Sequence, residues 1–560
     1  MDWFLVTVKV VSGAFLFLIG VRFLANGLLL ILSPYVHLQS GRWRERRLPG
    51  YLGGVLSGAT FQSWSTVASH LVSFANGGFL TARGGLFLLL GSSLGATVLP
   101  QVLSLELGFL TIPFLAAGLF CLILPRQSGR NTWAWVFLGG GLVLASWSLL
   151  TEGIDLLAVS ESFREEVLPA SVVYSAGFGR LVSSFAAIFF LGLGIGFLLR
   201  TSNLVVILGI LLATHGVITP ASGVPLIVGA NVGSALMVFL RSLLKNREAR
   251  KLAACGAVFH VLTALVVVLL CLVPVGNSAL YLWLVEWLTP GRLFHPIPES
   301  VGHHLAMAHT LYHLLGGVAF LAAPRVLLRL AERLFPSGGI EKQVKPHSLD
   351  ENLIPFASLA IRQVTQEVVY LAQLSSKSVA ESFDAFRYGD IKLADQVARR
   401  QETIADVHRD VTRYLVEVGE NQLSRHDACH LEVLQSATTE VVRIGECAEG
   451  LRDVTVRRLE EGVDASEDMD REFGEVYDLV MAQFDNIATL LERPDQRAEE
   501  GAMKVVERLA KYRTRLETQS RQRLEQNEGG PGKSGVEIHM QSLIYHQAFD
   551  LLFRIASHLA

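Results

Sequence analysis

Up to about residue 335 the sequence alternates apolar runs with short basic connections, and no other feature restricts the chain so strongly. Runs such as Phe4 to Leu32, Leu204 to Leu212 and Val261 to Leu272 carry few or no charges. A helix needs about 20 apolar residues to cross a hydrocarbon layer of about 30 Å, so a chain of this pattern is expected to cross a membrane repeatedly. From Lys342 onward charged residues recur every few positions. The averages over all 560 residues, 51% hydrophobic, 18% charged and a mean hydropathy of +0.41, therefore mix two halves of different solvent. Phe4 to Leu32 is longer than the apolar core of a secretory signal and has no basic leader before it, so it is expected to be a retained spanning helix.

Several function classes are excluded early. A net charge of −3 with no basic, aromatic-laced stripe argues against nucleic acid as a partner. The cysteines Cys121, Cys255, Cys271, Cys429 and Cys447 show no paired spacing that would bind zinc or make a disulfide framework. No phosphate-cradling P-loop or catalytic triad is present, so an enzyme is not expected.

Basic residues cluster at 42–47, 126–130, 241–251 and 325–333, which the positive-inside rule puts in the cytoplasm; the acidic stretch Glu152 to Glu166 then falls outside. Between the first two clusters, Pro49 to Arg83 is apolar but broken by Gly53, Gly54, Gly58, Gln62, Ser63, Ser65, Asn76, Gly77 and Gly78. Broken backbone at membrane depth is tolerated only inside protein or beside a cavity, so an interrupted hairpin is expected here.

The hairpin occurs twice. Gly54, Gly58, Gly78, Gly85, Gly91 and Gly95 fall without a gap on Gly192, Gly196, Gly216, Gly223, Gly229 and Gly233, an offset of 192 − 54 = 138 residues. The first copy is entered from the cytoplasm and the second from outside, so the copies are expected to be inverted, as in alternating-access transporters.

Each copy carries a polar motif followed by a glycine-bounded one. Gln62-Ser63-Trp64-Ser65 precedes the segment with Ser92, Ser93 and Thr97, and Arg200-Thr201-Ser202-Asn203 precedes the segment with Asn231 and Ser234. Hydroxyls, amides and freed backbone groups at a helix break can replace the hydration shells of a small cation and an oxyanion, and helix N-termini add positive potential. In a membrane helix such residues also serve simple close packing.

This paired pattern resembles the type II sodium–phosphate cotransporter family, whose repeats carry Gln-Ser-Ser-Ser and Gly-Ala-Asn-Ile-Gly-Thr-Thr-like motifs. The resemblance extends over about residues 10–325 and includes Ala249 to His260 and Ala308 to His313. It implies that Gln62, Ser63, Ser65, Thr201, Ser202 and Asn203 line a phosphate and sodium site supported by Ser92, Ser93, Thr97, Asn231 and Ser234. Two residues depart from the pattern: Trp64 replaces a small hydroxyl residue, and Arg200 stands where the second glutamine would be. An arginine at membrane depth costs about 3 kcal/mol on insertion scales, so Arg200 either contacts the anion or replaces a sodium charge, or it snorkels from a helix end. Imidazole as a group titrates near neutrality, but His70, His215, His260, His309 and His313 are expected to be hydrogen-bonded packing residues.

Beyond Pro336-Ser337-Gly338-Gly339, apolar residues recur at helical spacing: Ala360, Val364, Val368 and Leu371; Ile404, Val411, Leu415 and Val418; Leu434, Val441, Ile444, Ala448 and Leu451. Six helices arranged as two three-helix units are expected. Leu349-Asp350-Glu351 and Arg443-Ile444-Gly445-Glu446-Cys447-Ala448-Glu449 resemble the PhoU phosphate-signalling family, whose members bind metal on acidic helix faces. Glu402, Asp406 and Asp410 are the matching candidate ligands, while Lys511 occupies a position where a second face would need a carboxylate.

The expected fold class is all-α: a polytopic membrane domain with inverted repeats of re-entrant or broken hairpins, plus a soluble PhoU-like bundle. Its boundaries are 1–335 for the membrane domain, with repeats at about 10–125 and 133–275 and a further spanning helix at about 300–323; 336–350 for a linker; and 351–560 for the bundle. The expected function is secondary import of inorganic phosphate with sodium as coupling ion and no cofactor, in the inner membrane of a bacterium, regulated by the cytoplasmic bundle. That bundle is the expected surface for self-association or a signalling partner. The rival readings are a carrier of another anion or one independent of sodium, and a phosphate receptor that signals without transport.

Overall fold

The computed structural model describes residues 3–32, 46–123, 130–160, 172, 178–275, 278–293, 300–336, 349–421, 423–463, 467–492, 496–526 and 535–559. The basic residues 42–45 and 126–129, the acidic residues 161–166 and most of the expected linker lie outside the described residues. Contacts divide the chain into two compact units, Met1–Glu341 and Lys342–Ala560.

The first unit is helical apart from a two-residue antiparallel pairing of Pro274–Val275 with Ser278–Ala279. Its helices are α1 (Trp3–Leu32), α2 (Arg47–Phe61), α3 (Trp64–Asn76), α4 (Ala82–Gly95), α5 (Val98–Leu103), α6 (Thr111–Ile123), α7 (Arg130–Ala158), α8 (Phe178–Leu199), α9 (Asn203–Thr214), α10 (Pro220–Ser242), α11 (Arg247–Leu272), α12 (Leu280–Leu288), α13 (Val301–Ala322) and α14 (Pro324–Leu334). Among the described residues seven helical stretches are long and apolar enough to cross a bilayer, the last of them Val301–Ala322. The chain is a multi-pass membrane protein.

The interrupted region resolves into α2 and α3, of 15 and 13 residues. At 1.5 Å per residue these reach only about 22 and 20 Å, so neither crosses the membrane alone. Helix α3 is buried along almost its whole length, which removes its broken ends from lipid. In the second copy α9, with 12 residues, is the counterpart of α3 and is equally buried.

The matching glycines explain why the sequence repeats. Helices α2 and α4 cross so closely that a methyl group on Gly54 would overlap the carbonyl of Leu88, one on Gly58 that of Ser92, one on Gly91 that of Tyr51 and one on Gly95 that of Val55. Helices α8 and α10 repeat these contacts at the same offset: Gly192 on Leu226, Gly196 on Ala230, Gly229 on Phe189 and Gly233 on Leu193. Each pair of helices thus meets through two small-xxx-small seams, the device that replaces hydrophobic burial when the solvent is itself apolar. Both seams begin at a capped helix start, where the hydroxyl of Thr81 accepts from Gly84 N (3.1 Å) and that of Thr219 from Ser222 N (3.3 Å). The copies differ past their seams, since Ala96 and Thr97 separate α4 from α5 while α10 runs unbroken past Gly233 and Ser234.

The second unit holds α15 (Ala357–Tyr388), α16 (Ile391–Gly419), α17 (Arg425–Glu460), α18 (Glu467–Glu492), α19 (Gln496–Gln526) and α20 (Gly535–His558). The periodic apolar sets face inward, with Val364, Ile404 and Ala448 fully buried. Helices α15, α16 and α17 pack on one another, and so do α18, α19 and α20, as two three-helix units would, with α17 on α20 and α15 on α18 joining the two groups. Phe386 of α15, Val397 of α16, Leu451 of α17, Phe473 of α18, Leu509 of α19 and Tyr545 of α20 belong to one continuous core. Helices α15 and α17, of 32 and 36 residues, also reach a smaller cluster of Leu371, Ile404 and Val441.

Candidate functional site

The two helix breaks carry the same backbone signature. Helix α2 ends in a left-handed residue, Gln62 (φ 51°), and α8 ends in another, Arg200 (φ 57°). These are 200 − 62 = 138 residues apart, and the left-handed Gly78 (φ 73°) and Gly216 (φ 69°) are separated by the same interval. Glycine adopts this conformation freely, whereas for other residues it costs about 1–2 kcal/mol. The side chains at 62 and 200 therefore stand at positions where backbone preference alone favours glycine.

The breaks meet directly. Ser65 Oγ donates to the backbone carbonyl of Arg200 at 2.7 Å, and Asn203 Nδ2 donates to that of Gln62 at 2.6 Å. Asn203 is the counterpart of Ser65 and Arg200 that of Gln62, so each copy gives the other the same kind of bond. The contact is therefore reciprocal between the two aligned segments. Asn203 Nδ2 also reaches the carbonyl of Ala96 at 3.1 Å, where α4 gives way to α5. The asymmetric helix break therefore lies against the same crossing.

The other expected site residues fall into two groups. Ser63 starts α3: its hydroxyl accepts from Thr66 N at 3.3 Å and lies 3.1 Å from Ser65 Oγ. Gln62, Ser63, Ser65, Ser202 and Asn203 are all buried, and Thr201 is partly exposed. Gln62 Nε2 donates to Ala59 O, which leaves Gln62 Oε1 buried without a partner. The supporting residues Ser92, Ser93, Thr97 and Ser234 donate to carbonyls three residues back, at 2.8, 2.7, 2.8 and 3.1 Å, and Asn231 does so four residues back at 2.9 Å. A hydroxyl that donates in this way keeps its oxygen lone pairs, so these positions can still offer oxygen to a cation.

Arg200 divides between two roles. Its carbonyl is in the crossing, while its side chain is exposed and makes no ion pair among the described residues. Trp64 turns away from the polar crossing. Its Nε1 donates to Leu89 O at 3.2 Å, and its ring lies against Gly256, where a methyl group would come within 2.9 Å, and at 4.3 Å from the ring of His260. The bulky departure from the family motif thus fits because α11 carries a glycine opposite it.

Sequence reasoning missed what Trp64 leads to. His260 of α11 and His309 and His313 of α13, expected to be hydrogen-bonded packing residues, are hydrogen-bonded and buried, and they form one ring cluster with Tyr312. His215 is paired with Asp155 (2.6 Å), and His70 stacks obliquely on Phe61. In the second unit, Asp406 accepts from Arg409 (3.1 Å) and Asp410 from Arg413 (2.8 Å). Glu402 is exposed, and no group of three ligand-type side chains is gathered among the described residues. The expected metal face has no assembled donor set there.

Residues 16–152 match the family model described as Na+/Pi-cotransporter. Over 425 residues, 76% of this chain, the sequence is 20% identical to YjbB of Escherichia coli O157:H7, a protein named for inorganic phosphate export, with 73% of that protein covered. YjbB of Salmonella typhimurium and of Escherichia coli K12 each match at 19% identity with the same coverage. No solved structure matches the chain. The matched residues include α2 to α5 with the Gln62-Ser63-Trp64-Ser65 break, so the similarity to the Na+/Pi-cotransporter family falls on the first of the two helix breaks.

Proposed function

We propose that this chain is a secondary transporter of inorganic phosphate that works by alternating access at the crossing of its two broken helices. The observation that carries this reading is the reciprocal pair Ser65 to Arg200 and Asn203 to Gln62. Two related hairpins that meet through polar groups at their breaks, beside apolar packing of Leu99 and Leu103 on Leu204 and Ile207, can rock about that joint and expose it to either side in turn. Around the joint, Gln62 Oε1 and the hydroxyls of Ser63 and Ser65 offer oxygen for a small hard cation. The starts of α3 and α9 direct positive potential toward an anion. Sodium is the coupling ion that the family match supports. Gln62, Ser63, Ser65, Ser92, Ser93, Thr97, Arg200, Thr201, Ser202, Asn203, Asn231 and Ser234 are the residues assigned to the site.

The chain functions as a carrier, not an enzyme, in the inner membrane, with its second unit in the cytoplasm as a PhoU-like regulatory bundle. Import follows when the sodium gradient drives the cycle. Net export is the second reading, favoured by the name of the relatives from Escherichia coli and Salmonella. Labelled phosphate is measured in proteoliposomes with a sodium gradient imposed inward, imposed outward, or replaced by choline. Accumulation that follows the sodium gradient supports sodium coupling, and net efflux without it supports export. No phosphate flux in any arm sinks both.

A further inference from the structure

Three imidazoles and a phenol, far from any basic connection, are packed together at the back of Trp64. His260, His309 and Tyr312 are 0% exposed and His313 is 1% exposed. His309 Nε2 and His313 Nε2 are 3.1 Å apart, and His260 Nδ1 is 3.2 Å from Tyr312 Oη. His260 Nε2, His309 Nδ1 and His313 Nδ1 are buried without hydrogen-bond partners.

Proton counting shows what these bonds require. Tyr312 has one hydroxyl hydrogen, and it is donated to the backbone carbonyl of His260 at 2.9 Å. The phenol oxygen can then only accept from His260, so the hydrogen of neutral His260 is on Nδ1 and its Nε2 is a bare lone pair. In the other pair one Nε2 donates and the other accepts. The donor ring then also has a bare lone pair, at Nδ1, while the acceptor ring keeps an Nδ1–H with nothing to receive it. The neutral cluster therefore holds vacant, buried proton acceptors, where a packing role would have left each ring nitrogen paired.

We propose that His260, His309 and His313 form a proton-binding site whose occupancy couples a pH gradient to the transport cycle, an inference that rests on the transport reading above. In the binding step a lone pair on His260 Nε2, or on the donor ring of the His309–His313 pair, takes a proton from hydronium, leaving water and an imidazolium; release passes the proton to water on the other side and re-forms hydronium there. Ring centroids 4.7 and 5.7 Å apart make a second charge unfavourable, so one proton is carried per cycle. Trp64 connects the cluster to the transport joint. It lies between Ser63 and Ser65 in sequence, and its ring meets His260 nearly perpendicularly, at 80°.

The surroundings leave the rings to one another. The titratable groups that act on His260 and His313 are other rings of the cluster. From the neighbouring elements, Tyr281 of α12 faces Ala308, to whose carbonyl it donates at 2.6 Å, and Tyr51 of α2 faces Gly317, one turn beyond His313. His304, on the same helix, is bonded to Ser300 O (2.9 Å). Cys255 and Cys271 are on α11 itself, and the charged Glu248 and Lys251 stand at its start, more than about two turns before His260. Helices α3, α4, α5, α9, α10 and α14 contribute no charged side chain to the rings among the described residues.

The test uses the full chain in proteoliposomes with sodium equal on both sides and an alkaline interior. One proton per phosphate supports up to about tenfold accumulation per pH unit, abolished by nigericin in symmetric potassium. The readout is the ratio of pH-driven to sodium-driven accumulation, which is expected to fall at least about fivefold in His260→Gln and in Tyr312→Phe, and to stay unchanged in His215→Gln. Phosphate flux indifferent to the pH gradient in the natural protein overturns the inference alone. So does an equal response in His260→Gln or Tyr312→Phe, which would place the effect in the protonation of phosphate. Should His260→Gln fail to assemble, Tyr312→Phe decides the outcome. Absence of phosphate flux under either gradient overturns the transport reading, and this inference with it.

Discussion

Ser65 gives its hydroxyl hydrogen to the carbonyl of Arg200, a residue 135 positions away that stands at the same place in the other broken hairpin as its own neighbour Gln62. The bond is one half of a pair, the other being Asn203 to Gln62. A double-mutant cycle measures whether the halves act together. Ser65→Ala and Asn203→Ala are each expected to lower stability by about 1–2 kcal/mol in detergent, because a buried carbonyl loses its donor. The double variant is expected to depart from additivity by at least about 0.5 kcal/mol. Simple additivity would mean that the two bonds do not share one joint.

Arg200 separates backbone strain from side-chain chemistry. Arg200→Gly relieves the left-handed conformation and is expected to raise stability by up to about 1 kcal/mol. Arg200→Gln keeps the strain and restores the residue of the first copy. If the guanidinium contacts the anion or replaces a sodium charge, both variants weaken phosphate affinity or change the sodium dependence of uptake. Transport kinetics unchanged in both would remove Arg200 from the site.

The glycine seams predict opposite results from alanine at two neighbouring positions. Gly194 of α8 has open space where a methyl group would go, whereas Gly196 faces the carbonyl of Ala230. Gly194→Ala is therefore expected to be neutral or stabilising by up to about 1 kcal/mol through helix propensity. Gly196→Ala is expected to destabilise by about 2 kcal/mol or more through overpacking. Thermal melting of the purified variants checks the order, and its reversal would disprove the close crossing.

Much of this arrangement could be read from the chain before any coordinates. The ungapped match of Gly54 and Gly58 with Gly192 and Gly196 was visible because each close helix crossing demands a residue without a side chain. The polar breaks were visible because Gln62-Ser63 and Arg200-Thr201-Ser202 interrupt apolar runs. What could not be read was which groups meet. The contact of Trp64 with His260 joins helices nearly 200 residues apart, and nothing in local spacing announces the gap at Gly256 that admits the indole. The six-helix core of the second unit was likewise hidden, since periodicity reports which face is buried but not how many neighbours share it.

The second unit offers a pH prediction whose sign follows from its tyrosines. Burial, reinforced by a hydrogen bond to Glu475, pushes the Tyr512 hydroxyl up to about 12. Burial, with Asp350 nearby, raises Tyr414 as well. Folded values above the ordinary value near 10 mean that the stabilising contribution is complete below that pH and is lost as pH rises through the folded values. Melting of the second unit within the full chain is expected to weaken above about pH 10, and Tyr512→Phe to flatten part of that loss. An unchanged alkaline limb in Tyr512→Phe would contradict it.

The seams also dictate where this protein can bend. With Gly58 pressed on the carbonyl of Ser92 and Gly196 on that of Ala230, each hairpin is backbone locked against backbone. At these four-residue seams no side chain separates the two backbones, although Tyr51 and Val55 pack on Leu86, Leu90 and Leu94 beside the first of them. The two hairpins are thus stiff levers. In the proposed cycle it is the crossing of Gln62, Ser65, Arg200 and Asn203, a few hydrogen bonds wide, that would have to give.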